Sequence, residues 1–246
     1  MEQKPEEKIQ SDLIKGHWNK EAGTYYTFVP GERAKLPTKF EEFYQKHKAE
    51  WREALDIGCG PGKFLIPMLQ DGLNVTGFDI ADNMLKSTEL NMDLANKSEI
   101  PEDHLKGNVR LVEGESKNLS AFPDGSFNLV FAKGSIHHNN WAGILRSLKE
   151  VKRVLKSGGI FVFQCRSTKD AALLHSEPIS DAGTDGGITA KDLSGKVGVF
   201  EHYFSKAELE KLAKENGFEV VVEPEERIKS ESGKEIARWW VVYKKI

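Results

Sequence analysis

From Trp51 to Cys165 the chain repeats one pattern: a short apolar run of strand length, a turn, then a helix-length stretch with apolar residues three or four apart. Glu53–Ile57, Asn74–Asp79, Val109–Val112, Ser126–Ala132 and Ile160–Cys165 read as strands. Between them, Lys63–Asp71, a stretch from Asp82 into the mid-90s, and Trp141–Lys156 read as helices, the last with Ile144, Leu145, Leu148, Val151, Val154 and Leu155 on one face. This alternation admits few folds. Strands joined by helical crossovers run parallel, and runs as continuously apolar as Ile160–Cys165 must be covered on both faces. With two further strands at Phe218–Glu223 and Ala237–Tyr243, the expected class is α/β: a doubly wound, Rossmann-like, seven-stranded, mostly parallel sheet with helices on both faces.

The remaining segments fit one domain over 1–246. Residues 1–10 read as a solvated tail within an N-terminal helical cap over 1–50, whose clearest helix is Thr38–Glu50, with Phe40, Phe43, Tyr44 and His47 at helical spacing. Residues 51–165 form the core expected to hold a ligand. Residues 166–204 are polar and glycine-rich, too long for a plain connection, and read as a lid or substrate loop. Residues 205–246 supply a helix capped by Ser205 and ended by Gly217, then two strands joined by a charged loop.

Composition narrows the function. Charged residues are 30% of the chain, but the net charge is only −3 and Lys and Arg do not cluster, so a nucleic acid is disfavoured as partner. The two cysteines, Cys59 and Cys165, form no C-x-x-C pair, and no metal site is expected. No apolar run is long enough to cross a membrane and Met1–Gln10 lacks a signal-peptide core, so the expected location is cytoplasmic with no membrane partner.

In doubly wound sheets ligands bind at the carboxyl ends of the strands, near the switch in strand order. The first strand ends Leu55-Asp56-Ile57-Gly58-Cys59-Gly60-Pro61-Gly62. A dinucleotide fingerprint needs a glycine at position 63, which is Lys63, and a Walker A loop needs G-K-[ST]. Asp56 would also repel a pyrophosphate, whereas a ligand carrying an ammonium and a sulfonium suits a carboxylate. Asp79, at the end of the second strand, is placed to accept bonds from ribose hydroxyls. NAD enzymes use the same device, so Asp79 alone indicates an adenosine-type ligand.

Ala54 to Gly62 resembles motif I of the class I S-adenosylmethionine-dependent methyltransferases, of the type 11/25-like kind. Val75 to Ile80, Gly114-Glu115-Ser116, Phe122 to Val130 and Leu148 to Phe163 resemble further blocks of that family in the same order. The resemblance implies S-adenosylmethionine as cofactor and S-adenosylhomocysteine as its product, with an antiparallel last strand. It implies that Asp56, Gly58, Cys59 and Gly60 line the methionine part, that Asp79 holds the ribose, and that Ile80 and Met84 pack near the adenine. It places Glu115 and Ser116 at the adenine; many members have Asp where Glu115 stands. Lys133 would touch the ligand through its backbone, because a lysine ammonium beside a sulfonium is unfavourable.

On the acceptor side, His137 and His138 follow the fourth strand and are candidates for a general base, with pocket shaping as the plainer role. Tyr25 and Tyr26 would close over the cofactor and set an aromatic face near the methyl group, or simply pack the cap. Glu201, His202 and Tyr203 leave the long loop near the pocket. Arg238 or one of Trp239 and Trp240 is placed to meet substrate, the other tryptophan being core. Ala132-Lys133-Gly134-Ser135 lacks the Asn/Asp-Pro-Pro-Tyr/Phe block of enzymes that methylate base amino groups. The expected activity is methyl transfer to a small molecule at O, N, S or C by a monomer or homodimer. Protein or RNA methylation and non-catalytic binding of the adenosyl ligand are the alternatives.

Overall fold

The computed structural model describes residues 5–179, 186–193, 198–231 and 233–246. Each apolar run becomes a strand. β1 (Glu53–Ile57), β2 (Asn74–Asp79), β3 (Val109–Glu113), β4 (Phe127–Lys133) and β5 (Leu155–Ser167) lie in the order β3-β2-β1-β4-β5, all parallel. The order reverses between β1 and β4, so the switch point falls where the glycine turn leaves the sheet.

The helices are α1 (Pro5–Glu21), α2 (Thr38–His47), α3 (Leu65–Gln70), α4 (Asp82–Asn96), α5 (Trp141–Val154) and α6 (Lys206–Glu215). Side chains alternate across the strands and build two cores. Leu55, Val130, Phe161, Phe163 and Tyr243 face α5 and α6; Ala54, Leu129, Phe131, Val162 and Trp240 face α2, α3 and α4. The sheet is therefore covered on both faces, as its near-continuous apolar strands require.

Beyond the seven expected strands, the described residues hold three more. β6 (Ser176–Pro178), β7 (Ile188–Asp192) and β8 (Phe200–Phe204) form an antiparallel insert in the span read as a lid. β4 ends opposite Gln164, and β8 takes its place for two further pairs, Arg166 with Tyr203 and Ser167 with Phe204. Of that span, residues 180–185 and 194–197 lie outside the described residues.

The charged loop expected between the last two strands is instead a hairpin. β9 (Phe218–Glu231) and β10 (Lys234–Lys245) stay paired to their tips, and β10 runs antiparallel to both β9 and β5. Ladder hydrogen bonds need no apolar side chains, so alternating Glu, Arg and Lys extend the arms into solvent. The tail is also more ordered than expected. Helix α1 begins at Pro5, and Gln10 and Ser11 are buried; residues 1–4 lie outside the described residues.

A candidate cofactor and acceptor cavity

The turn after β1 is built by backbone contacts. Gly58 adopts φ +70° and donates its N–H to the Phe78 carbonyl at 2.6 Å. An added Cβ there would press into Ser135, whereas at Gly60 it would meet only Met84 Sδ, at 4.0 Å. The first glycine thus admits a neighbouring loop, and the second leaves bare backbone facing open space. Asp79, only 7% exposed, holds the turn together: one carboxylate oxygen accepts from Gly60 N and the other from Ala81 N, both at 2.9 Å. Ala81 stands at the N-cap of α4 with Asp82 in the first turn, so Asp79, accepting from Ala81 N, orders the helix start as well as the glycine turn.

These elements open onto a cavity of roughly 1180 Å³, its mouth included. The wall includes every residue assigned to the cofactor from the sequence: Tyr25, Asp56, Gly58, Cys59, Gly60, Asp79, Ile80, Met84, Glu115, Ser116 and Lys133. His138 joins them; His137 and Tyr26 do not. His137 stands behind His138, ring centroids 4.2 Å apart, and its carbonyl accepts from His202 N. The Tyr26 ring lies 5.6 Å from the Lys63 ammonium. Trp239 and Trp240 are both core, not one alone.

Buried charge sets the electrostatics. Asp56 is 2% exposed; burial, then the nearby Asp79, pushes its carboxyl up to about 8, against the pull of Lys133. Burial raises Asp79 too, opposed by its backbone donors. Burial and the charges of Lys63 and Arg238 push the Lys133 ammonium down to about 8. Burial lifts the Cys59 thiol well above its ordinary range, which fits packing and not nucleophilic attack.

Helix α1 roofs the cavity with Gln10, Ser11, Ile14 and Trp18, one helical face, a contribution the sequence reading missed. Trp18 packs with Ile80 and Met84 and meets Tyr25 edge-on at 5.4 Å and His138 at 6.0 Å. The stripe is the signal that was available, but half of it is polar. On β8, beyond the end of β4, fully buried Glu201 lies 3.3 Å from His138 Nδ1 and accepts from Tyr203 Oη at 3.1 Å. Arg166 reaches Glu201 at 2.7 Å and Asp170 at 2.9 Å, and Arg238 also contacts Asp170. His137, His138 and Glu201 bring ligand atoms within 4.8 Å of one another, close enough to collect a metal ion. Two carboxylates already face two guanidiniums there, so a divalent cation would have to displace Arg166 from Glu201.

The donor set fits an adenosyl ligand with a cationic end. It offers carboxylates at Asp56, Asp79 and Glu115, bare backbone at Gly60 and an apolar slot between Ile80, Met84 and Trp18.

A methyltransferase domain descriptor matches residues 55–163. The probable methyltransferase ltbC of Aspergillus luteorubrus is 31% identical over 130 residues, 51% of this chain and 42% of that protein. The chain thus spans less than half the length of the first curated relatives it matches. Among solved structures, a SAM-dependent methyltransferase from Methanosarcina mazei superposes with TM-score 0.66 at 24% identity, covering 87% of this chain and 99% of that one. The 1,6-didemethyltoxoflavin-N1-methyltransferase of Burkholderia thailandensis, solved with 1,6-didemethyltoxoflavin and S-adenosylhomocysteine, superposes with TM-score 0.63 at 17% identity over 100% of this chain and 92% of that one. These two likenesses speak for the fold; the domain match coincides with the five blocks in the sequence and with the strands that carry the glycine turn, Asp79 and Glu115. Residues 55–163 match the methyltransferase domain family, and the chain as a whole has the fold of S-adenosylmethionine-dependent methyltransferases.

Proposed function

We propose that this chain transfers a methyl group from S-adenosylmethionine to a small-molecule acceptor. The observation that carries the reading is continuity: one cavity runs from the glycine turn and Asp79, past Lys133, to His138, beneath the roof of α1. Small-ligand sites are concave and bury most of their occupant. A protein or RNA substrate calls for an open trough instead. The 1,6-didemethyltoxoflavin-N1-methyltransferase, whose fold the chain shares, has a small-molecule substrate by its name.

When bound, the cofactor supplies an activated methyl on a sulfonium. The chain's part is alignment and charge. In this reading Asp79 offers its remaining lone pairs to the ribose hydroxyls while its occupied ones hold the Gly60 and Ala81 amides. Asp56 faces the ammonium of the methionine end, and Ile80, Met84 and Trp18 enclose the adenine. His138 is the wall residue suited to take a proton from a protonated acceptor, with Glu201 holding its Nδ1 side.

The test is thermal shift and calorimetry with S-adenosylhomocysteine against NAD, followed by a methyl-transfer screen of diverse small acceptors read by mass spectrometry. Stabilisation by the homocysteine nucleoside alone, with a methylated small product, is the expected result. Affinity for NAD without affinity for the nucleoside would overturn the reading.

A further inference from the structure

The two sides of the switch point differ in charge. The strands on the adenosyl side, β1 to β3, bring Asp56, Asp79 and, two residues past β3, Glu115 to the cavity. On the other side β4 ends in Lys133, and Lys63 reaches over from the glycine turn. Most cations near the wall are paired: Lys117 with Glu115, Arg146 with Glu7, Arg166 with Glu201 and Arg238 with Asp170. Lys63 and Lys133 are different. Among the described residues no carboxylate lies within 4.0 Å of either ammonium, and each instead faces an aromatic ring, Lys133 at 5.5 Å from Phe64 and Lys63 at 5.6 Å from Tyr26. Among the described residues the acid that acts on Lys133 is Asp56, and the cofactor reading commits that carboxyl to the ammonium of the methionine end. A half-buried ammonium without a counter-charge is costly, and a sulfonium arriving beside it makes it more so.

We propose that Lys133, with Lys63 at the mouth, forms the subsite for an anionic acceptor: a small organic molecule carrying a carboxylate or an ionised phenol or enol. This rests on the cofactor reading above. An anion seated there lies between two cations and relieves both. If the anionic atom itself attacks, its lone pair forms the new bond to the methyl carbon as the carbon–sulfur bond breaks toward sulfur. Sulfonium and anion neutralise each other, and no proton has to leave. Alignment by the lysines then does the work that a general base does for a protonated acceptor.

The cofactor's own carboxylate is an anion too, so the experiment separates the two sources. Calorimetry measures S-adenosylhomocysteine binding to the wild type and to Lys133→Met, whose side chain keeps the contact with Phe64 and loses the charge. Benzoate and methyl benzoate are then titrated into each nucleoside-saturated protein. The expected result is that wild type binds benzoate at least about tenfold more tightly than the ester. Lys133→Met loses that preference while its nucleoside affinity stays within about threefold. Equal binding of benzoate and ester, no benzoate binding, or an unchanged preference in Lys133→Met overturns the proposal. So does an approximately tenfold loss of nucleoside affinity in the variant, which assigns the lysine to the cofactor. Failure of the wild type to bind the nucleoside at all is a separate outcome, and sinks the cofactor reading itself.

Discussion

Replacing Gly58 with Ala tests whether the glycine turn and the acceptor loop are one mechanical unit. Two costs follow from the structure. At φ +70° an L side chain pays the left-handed penalty, about 1–2 kcal/mol. The new methyl would also sit inside the van der Waals shell of Ser135 Cβ and 3.0 Å from its Oγ, which already donates to the Ile57 carbonyl at 2.7 Å. Forcing a methyl into such a contact typically costs a further ~1–3 kcal/mol. The sum, about 2–5 kcal/mol, corresponds to a fall in Tm of about 4–20 °C for a chain of this size. Ser135 sits between Lys133 and His138, so its displacement carries both along, and nucleoside affinity should fall with stability. Gly72→Ala is the control: its φ is +91°, but an added Cβ meets nothing within 4 Å, so only the conformational cost applies and binding is untouched. Adding Ser135→Gly to Gly58→Ala should recover the steric share and leave the conformational one. Differential scanning calorimetry and titration with S-adenosylhomocysteine read all four proteins. If Gly58→Ala melts and binds like Gly72→Ala, the proposed coupling between turn and loop is wrong.

Three other substitutions probe charge. Asp79→Ala strips acceptors from the Gly60 and Ala81 amides as well as from the ribose, and should reduce nucleoside affinity at least about tenfold by calorimetry; unchanged affinity would remove Asp79 from the site. Because Asp56 ionises near 8 in the fold against 3.8 in the open chain, the folded form holds the extra proton between those values. Stability of the free protein should therefore fall as pH rises from 3.8 to 8 and level off above, and Asp56→Asn should flatten that slope in chemical denaturation. Binding an ammonium favours the carboxylate, so nucleoside binding near neutral pH should release up to about one proton, seen as buffer-dependent heat. Arg166→Met leaves Glu201 buried without its guanidinium, which should cost about 3–5 kcal/mol in urea unfolding; adding Glu201→Gln should restore part of it, and no recovery would mean that the pair is not coupled.

What could be read in advance was what repeats locally. The strands from Glu53 to Cys165, the glycine turn and Asp79 announce themselves because both the hydrophobic period and the chemistry lie within a few residues of each other. Helix α1 hid because its inward stripe includes Gln10 and Ser11, whose burial is satisfied by partners far along the chain. The insert strands hid because β8 exists only by pairing with the end of β5, and β6 and β7 only by pairing outward from it. Glu201 reached the vicinity of His138 through that same non-local pairing, so no spacing in the sequence could relate them. The arms of β9 and β10 hid behind their charge, since ladders of backbone amides leave no hydrophobic mark. Lys133 was legible as a cation beside the sulfonium but not as one without an ion pair, because that depends on where Asp170, Glu201 and Glu7 spend their charge.

Gln10 joins two of these late-appearing pieces. Its side-chain amide donates to the Gly198 carbonyl at 2.8 Å and accepts from Phe200 N at 2.9 Å, imitating one residue of a neighbouring strand. The far end of α1 is pinned separately, with Asn19 bonded to Asp82 and Asn83, and Ser87 to the Ala22 carbonyl. The N-terminal half of the helix is held to the insert by Gln10 and to the core by Glu7 with Arg146 and Ser11 with Lys117. Because both Gln10 bonds run to the strand edge at 198–200, the position of the roof helix and that of the β8 edge are mechanically coupled.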